Sequence, residues 1–251
     1  MNKLVSIITP AHNCSATIAR TINSVLLQTY TNWEIIVVDD GSIDNTVKVL
    51  EEFKEKDSRI KYYINQENIG SARTRNRAIE ISKGHYIAFL DSDDTWLPTK
   101  LEDQILFMEL TGNLFTYGSY DVIDKRTETI IKTVTPPQQL DYNDLLKRCP
   151  IGCLTAVYNQ QELGKLYMPN VRSGQDWGLW LALTRQGVKA YKYPGVSARY
   201  YVGTNSLSSN KLKKSLSIFK IYREHEKLSL ISTCKYLVLH TINVLKKKRV
   251  K

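Results

Sequence analysis

Several familiar signatures are missing from this chain of 251 residues, and each absence narrows what it can do. Its four cysteines (Cys14, Cys149, Cys153 and Cys234) fit no zinc-ligand spacing. Cys149 and Cys153 stand four apart around Pro150, which reads as core packing rather than a redox pair. Met1-Asn2-Lys3 runs straight into the strand-like segment Leu4 to Thr9, so no secretory leader is visible and a reducing cytoplasm is expected. No apolar run reaches the ~18 residues a membrane-spanning helix requires. No GxGxxG follows the first strand-like segment, which disfavours a dinucleotide-dependent dehydrogenase. Nor does a glycine-rich loop with Arg or Lys follow it, which tells against a sugar nucleotidyltransferase gripping a triphosphate. No internal repeat is found.

Negative charge is scarce in one place only. Residues 1–210 balance 23 Lys/Arg with 23 Asp/Glu, whereas residues 211–251 hold 12 Lys/Arg against Glu224 and Glu226. The whole net charge of +10 therefore lies in the tail. An excess of this kind calls for an anionic partner, either nucleic acid or a membrane surface.

Within the chain, strand-like and helical patterns alternate up to about residue 90, which implies a parallel sheet with crossover helices. Leu4 to Thr9 is a strand ended by Pro10, and Ser15 is placed to cap a helix presenting Ile18, Ile22, Val25 and Leu26. Trp33 to Val38 is the second strand; Asp44 or Asn45 caps a helix with Val47, Leu50 and Phe53. Ile60 to Ile64 is a strand, Ala72 to Ser82 an arginine-rich helix, and His85 to Leu90 a buried strand. That strand runs into Asp91-Ser92-Asp93-Asp94. Three carboxylates in four residues repel one another and lose hydration, so the fold must compensate them. Asp91 and Asp93 can aim at one point, where a hard divalent cation would take its other ligands from a substrate phosphate. The bland alternative is a solvated turn with Asp94 or Thr95 capping the helix that starts near Pro98. Thr9-Pro10, Asp39-Asp40 and Asp91–Asp94 all follow strands, and loops at that sheet edge converge on ligands.

The second half is less regular. A helix is expected over Pro98 to Leu110, a strand pair over Asn113 to Val134, a short helix over Asp141 to Arg148 and a strand over Gly152 to Tyr158. An amphipathic helix over Gln175 to Arg185 and strands over Lys189 to Tyr193 and Val196 to Val202 follow. Gly203 to Asn210 is polar and reads as mobile.

Taken together, these motifs resemble the family 2 glycosyltransferases of the GT-A fold, in its bacterial surface-polysaccharide branch. The matching residues are Ser6 through Asn13, Ser24 through Tyr30, Trp33 through Ser42 with Asp44 and Thr46, Asn68-Ile69-Gly70 with Ala72-Arg73 and Arg75-Asn76, Asp91–Asp94, and Gln175-Asp176-Trp177. They cover roughly residues 3–205. The resemblance implies an α/β fold whose Rossmann-like half (1–95) binds a nucleotide sugar and whose second half (96–205) binds the acceptor, followed by a basic helical extension (206–251). It places the base of a UDP-sugar against Thr9, Pro10 and Ala11 through backbone groups, with the imidazole of His12 stacked on it. Asp40 would accept from the N3–H that only uracil and thymine offer. Arg73 or Arg75 would meet the base edge or the diphosphate, while Arg77 is merely solvated. Asp91 with Ser92 would hold the ribose side, and Asp93 a Mn²⁺ or Mg²⁺ ion bridging the phosphates. The family's acidic pair stands here as Gln175-Asp176, leaving Asp176 as catalytic base, although a helix dipole there lowers a carboxyl pKa. One base opposite the leaving group inverts the anomeric centre, with UDP-glucose the first choice of donor.

The tail reads as two helices, Lys211 to Lys227 and Leu228 to Leu245, closed by Lys246-Lys247-Lys248-Arg249. It either packs on the domain or lies on the inner face of the cytoplasmic membrane, where the acceptor would be a sugar on a polyprenyl diphosphate. A nucleic-acid binder would leave the acidic cluster without a purpose, so nucleic acid is not an expected partner.

Overall fold

The structure, a computed structural model, describes residues 2–203 and 211–249. Its first half alternates β1 (Val5–Ala11), α1 (Ile18–Leu26), β2 (Trp33–Asp39), α2 (Thr46–Lys56), β3 (Ile60–Ile64), α3 (Ser71–Ile81) and β4 (Tyr86–Phe89). The four strands are parallel in the order β3-β2-β1-β4. Helices cover both faces, so a central strand is mostly apolar; every residue of β2 is buried, Glu34 among them, held by Ser6 and Lys61.

The second half adds β5 (Thr95–Trp96), α4 (Lys100–Thr111), β6 (Phe115–Asp124), β7 (Ile130–Val134), β8 (Gln139–Leu140), α5 (Tyr142–Lys147), β9 (Val157–Asn159), α6 (Gln160–Leu163), α7 (Gln175–Arg185) and β10 (Ala190–Val202). Because β9 pairs antiparallel with both β4 and β6, one ten-stranded sheet runs through residues 5–202. One core lies on each face. Ile7, Ile18, Ile22 and Leu50 belong to one, and Ile8, Phe89, Phe115 and Trp180 to the other. The extension forms α8 (Lys211–Lys220), a π turn (Ile221–His225) and α9 (Leu230–Arg249). It packs on the second core: Ile218 and Ile221 are buried, and Tyr222 donates its hydroxyl to the Leu146 carbonyl at 2.5 Å.

Local expectations fail where a tertiary partner intervenes. Pro10 does not end the first strand. Ile8 turns its carbonyl to Leu90 while Ala11 turns its own to Asp40, so position 10 faces the β4 side beyond the last rung, Ile8–Phe89. The missing N–H there removes no ladder bond. Ser15 does not cap α1; its N–H goes to Asp44 Oδ2 at 3.1 Å. Residues 152–158 are not one strand, because Thr155 folds its hydroxyl and N–H onto the Gly152 carbonyl and makes a 3₁₀ turn over Cys153–Thr155. The two strands expected over 189–202 are one, with a register shift between Lys192 and Val196 that Gly195 allows at φ +86°. Neither Asp94 nor Thr95 caps a helix: Thr95 pairs with Arg199, and Thr99 precedes α4. The expected helix 211–227 breaks into α8 and the π turn. Of the polar stretch expected to be mobile, residues 204–210 lie outside the described residues.

Candidate active site

At the carboxyl end of β2, Asp39 and Asp40 have separate duties. Asp39 closes its own turn, accepting from Ser42 N–H at 2.9 Å and from the Ser42 hydroxyl. Gly41 permits that turn at φ +69°, and a Cβ there would meet the Glu67 backbone at 3.1 Å. Asp40 instead shapes the loop of residues 65–70. Its Oδ1 accepts from Asn65 Nδ2 (2.8 Å) and Ile69 N–H (2.9 Å), and its Oδ2 from Gly70 N–H (2.9 Å). Burial alone would raise its carboxyl, but these donors outweigh it and hold the group below its ordinary value. The Thr74 hydroxyl lies beside the same buried carboxylate and lowers it further. Arg77 is not merely solvated: it donates to the Ile64 carbonyl (2.8 Å) and to Asn65 Oδ1 (2.5 Å), turning the Asn65 amide toward Asp40.

Of the three residues expected to line a base through backbone groups, Ala11 commits its carbonyl to Asp40 N–H at 2.8 Å. Thr9 is buried, its hydroxyl without a partner among the described residues. Pro10 is half-buried, beyond the last rung between β1 and β4. His12 is exposed; its Nδ1 meets the Asp40 carbonyl (2.9 Å) and its Nε2 meets Asn13 Nδ2 (3.1 Å), a pair of bonds that assigns the proton to Nδ1.

The acidic turn after β4 is compensated one carboxylate at a time. Asp91 accepts from Arg75 Nη2 at 2.5 Å. Asp94 is buried and accepts from Tyr201 N–H at 3.1 Å; burial, with Asp91 and Asp93 adding to it, pushes its carboxyl well up. Asp93 stays accessible, 3.8 Å from Lys125 on the β6–β7 turn, and its backbone carbonyl accepts from Arg20 (3.0 Å). Burial and then Asp91 raise its carboxyl too. Ser92 is half-buried against the Cys14 thiol. Asp91 and Asp93 therefore do not offer two free carboxylates to one point, because Asp91 is already engaged.

Beside this turn lies a cavity of about 200 Å³ whose walls include Arg75, Asp91, Cys153, Arg172, Gln175 and Asp176. Arg75 bridges it, with Nη1 on Gln175 Oε1 at 2.9 Å; Nε is buried without a partner among the described residues. Its neighbour on α3, Arg73, points elsewhere. With the Asn170 amide oriented to satisfy both groups, Arg73 donates to its carbonyl from Nε and Nη2 at 3.2 Å. Asp176 stands in the first turn of α7. Burial raises its carboxyl above the ordinary value, against the pull of the Trp177 N–H and Arg75. The downward shift expected from the helix terminus is thus overridden by lost hydration. Among the described residues no cysteine is in a disulfide, and burial pushes the Cys153 thiol well up.

The donor set fits a hard cation bound in part by substrate. Among the described residues no three His, Cys, Asp or Glu side chains gather as a protein-only metal cage. An ion of the Mg²⁺ class takes one or two carboxylates and completes its shell from phosphate and water. Asp93 meets that need: an accessible oxygen donor crowded by like charge. Sequence reading missed Arg20, Lys125, Tyr201 and Cys153 here. They come from elements 31 or more residues away from the acidic turn, or from a 3₁₀ turn with no motif of its own.

Comparison with known proteins bears on the family and the fold. The sequence profile of glycosyl transferase family 2 matches residues 6–162. The teichuronic acid biosynthesis glycosyltransferase TuaG of Bacillus subtilis (strain 168) is 39% identical over 245 residues, covering 98% of this chain and 97% of its own. The Escherichia coli UDP-Glc:alpha-D-GlcNAc-diphosphoundecaprenol beta-1,3-glucosyltransferase WfgD is 43% identical over 213 residues, 84% of this chain and 82% of its own. Among solved structures, Staphylococcus aureus TarS 1–349 in complex with UDP-GlcNAc superposes with a TM-score of 0.73 at 18% identity, over 95% of this chain and 71% of that one.

Proposed function

The chain belongs to glycosyl transferase family 2 and has the GT-A fold, and from that premise we propose that it moves a hexose from a UDP-sugar to a lipid-linked sugar in the assembly of a bacterial surface polysaccharide. The observation that carries this reading is the strut Asp91–Arg75–Gln175, which brings the acidic turn and the α7 terminus bearing Asp176 to one cavity. Glucose is the first choice of donor, and a polyprenyl-diphosphate-linked acceptor the first choice of partner. The relative WfgD, whose name states both, is 43% identical.

In this reading Pro10 and Asp40 hold the uracil, with His12 at its face. Asp91 and Ser92 lie on the ribose side, and residues 1–95 and 96–205 serve donor and acceptor. Arg73, turned to Asn170, is outside the nucleotide site, and Arg75 acts there through Asp91. Asp93 would hold Mn²⁺ or Mg²⁺, which when bound neutralises charge growing on the leaving diphosphate. Asp176 accepts the proton of the attacking hydroxyl as that oxygen bonds to the anomeric carbon and the bond to UDP breaks. A carboxylate kept above its ordinary pKa by burial is a stronger base than a solvated one. With one such base and no second nucleophile invoked, the configuration inverts, giving a β-linkage from an α-linked donor.

The test is UDP release from a panel of UDP-sugars by purified protein, with Mn²⁺ or with EDTA. Slow metal-dependent hydrolysis of one donor is expected. Neither turnover nor UDP binding with any donor would sink the reading.

A further inference from the structure

The C-terminal helix α9 carries an apolar stripe on the side turned away from the protein. Ile231, Cys234, Val238 and Ile242 fall at intervals of three, four and four, which is one face of a helix. Ile231 is 84% exposed, Val238 58% and Ile242 42%, and Cys234 is exposed as well. The opposite face is docked and fixes this orientation. Thr233 is buried, the His240 ring lies 5.0 Å from that of Trp177, Tyr236 lies 6.1 Å from Tyr222, and Asn243 Nδ2 reaches the Lys147 carbonyl at 3.4 Å. The stripe is therefore displayed by a packed helix, not by a loose tail.

We propose that this outward face of α9 lies in the headgroup layer of an anionic lipid leaflet, an inference that rests on the lipid-linked acceptor proposed above. Its charge selects the occupant. The 20 residues of α9 include no Asp or Glu; exposed Lys235 sits within the stripe, and the helix ends in Lys246-Lys247-Lys248-Arg249. Two copies of so basic a face repel each other, which disfavours a dimer through it. A nucleic acid would neutralise the lysines but has no use for Ile231, Val238 and Ile242. An anionic leaflet satisfies both components at once, the stripe against the acyl boundary and the lysines against the headgroups. No helix among the described residues is long and apolar enough to cross a membrane, so α9 lies along the surface.

The placement has a consequence for catalysis. Trp177, the residue after Asp176, packs its ring against His240 on the inner face of α9. With the outer face in the headgroups, Trp177 stands about one helix diameter, roughly 10 Å, from the leaflet. An acceptor sugar carried on a membrane-held diphosphate then needs no extraction to reach the cavity.

The full chain is sedimented with phosphatidylcholine vesicles and with vesicles containing phosphatidylglycerol, beside the double variant Ile231→Glu/Val238→Glu. Binding to the phosphatidylglycerol vesicles alone is expected, weakened at least tenfold in the double variant and by raised salt. A nitroxide at Cys234 should become shielded from a water-soluble quencher when these vesicles are added, a readout that holds if the double variant does not fold. Absence of wild-type binding, binding indifferent to the double variant, an unshielded label, or a wild-type dimer split by the double variant would each overturn the proposal. UDP release from a UDP-sugar in free solution separates the two readings. If it is retained while vesicle binding is absent, the membrane face fails alone; if no donor turns over while vesicles bind, only the transferase reading fails.

Discussion

Gln175 and Arg75 are joined across the cavity by a 2.9 Å hydrogen bond from Nη1 to Oε1, and the amide of Gln175 has no capacity to spare. Its Oε1 also accepts from the Ser71 hydroxyl at 3.1 Å, while its Nε2 lies 2.9 Å from both the Val171 carbonyl and Ser71 Oγ. A carboxylate at this position would set an oxygen against the Val171 carbonyl and a second negative charge beside Asp176. Gln175→Glu is expected to destabilise the fold by about 1–3 kcal/mol and to move the acidic limb of kcat/KM to higher pH. A pH–rate profile beside a melting curve checks both, and an unchanged profile would reduce Gln175 to packing.

Asp176 is predicted to govern the acidic limb itself. Only its ionised form can take the acceptor proton, so turnover falls as pH drops through its carboxyl pKa. Burial raises that pKa, so the loss should begin above the ordinary ~3.9 of an aspartate. Asp176→Asn should lower kcat by about 10²- to 10⁴-fold and leave UDP affinity unchanged, as measured by calorimetry. Loss of nucleotide affinity in step with kcat would move Asp176 from base to donor ligand.

Asp93 is the carboxylate of its motif held least closely, 3.8 Å from Lys125, since Asp91 is held by Arg75 at 2.5 Å and Asp94 by Tyr201 at 3.1 Å. Asp93→Asn is expected to abolish Mn²⁺ binding in the presence of UDP, followed by the electron paramagnetic resonance signal of free Mn²⁺. Asp94→Asn should retain Mn²⁺. Equal loss in both variants would show that the turn's shape, not one ligand, is what matters.

Lys100 offers a test of stability away from the site. It is 1% exposed, and Nζ has no hydrogen-bond partner among the described residues, only the face of Trp96 at 3.7 Å. A ring face attracts an ammonium, yet burial without a donor-matched partner prevails and pushes the amine well below its usual pKa. The folded amine therefore gives up its proton at lower pH than the unfolded one, which stays charged up to about pH 10.4. Its contribution thus destabilises the fold below that value, and stability rises as pH approaches it. Lys100→Met should raise stability by roughly 1–2 kcal/mol and flatten this dependence, read from melting temperatures between pH 7 and 10.

The first half was open to sequence reading because its signals are local. WEIIVV is apolar but for Glu34, which reads as a strand covered on both faces, and β2 is that strand, with Glu34 buried against Ser6 and Lys61. The carboxylates of Asp39-Asp40 and Asp91–Asp94 follow such runs directly, which places them at the sheet edge where loops meet. The second half withheld more. Thr155 turned a strand signal into a 3₁₀ turn by one hydroxyl bond, and a bulge at Gly195 fused two strands into β10.

The division follows the range of the interactions. Period, capping and apolar runs depend on neighbours within a few residues, and the linear chain by itself determined the parallel half, the placing of its acidic turns and the +10 charge of the tail. Which carboxylate is free is a matter of partners 16 to 107 residues away: Arg75 for Asp91, Lys125 for Asp93, Tyr201 for Asp94. Only the tertiary structure could decide that, and the direction of the Asp176 shift with it, because burial acts through everything packed around a group and not through its neighbours in sequence.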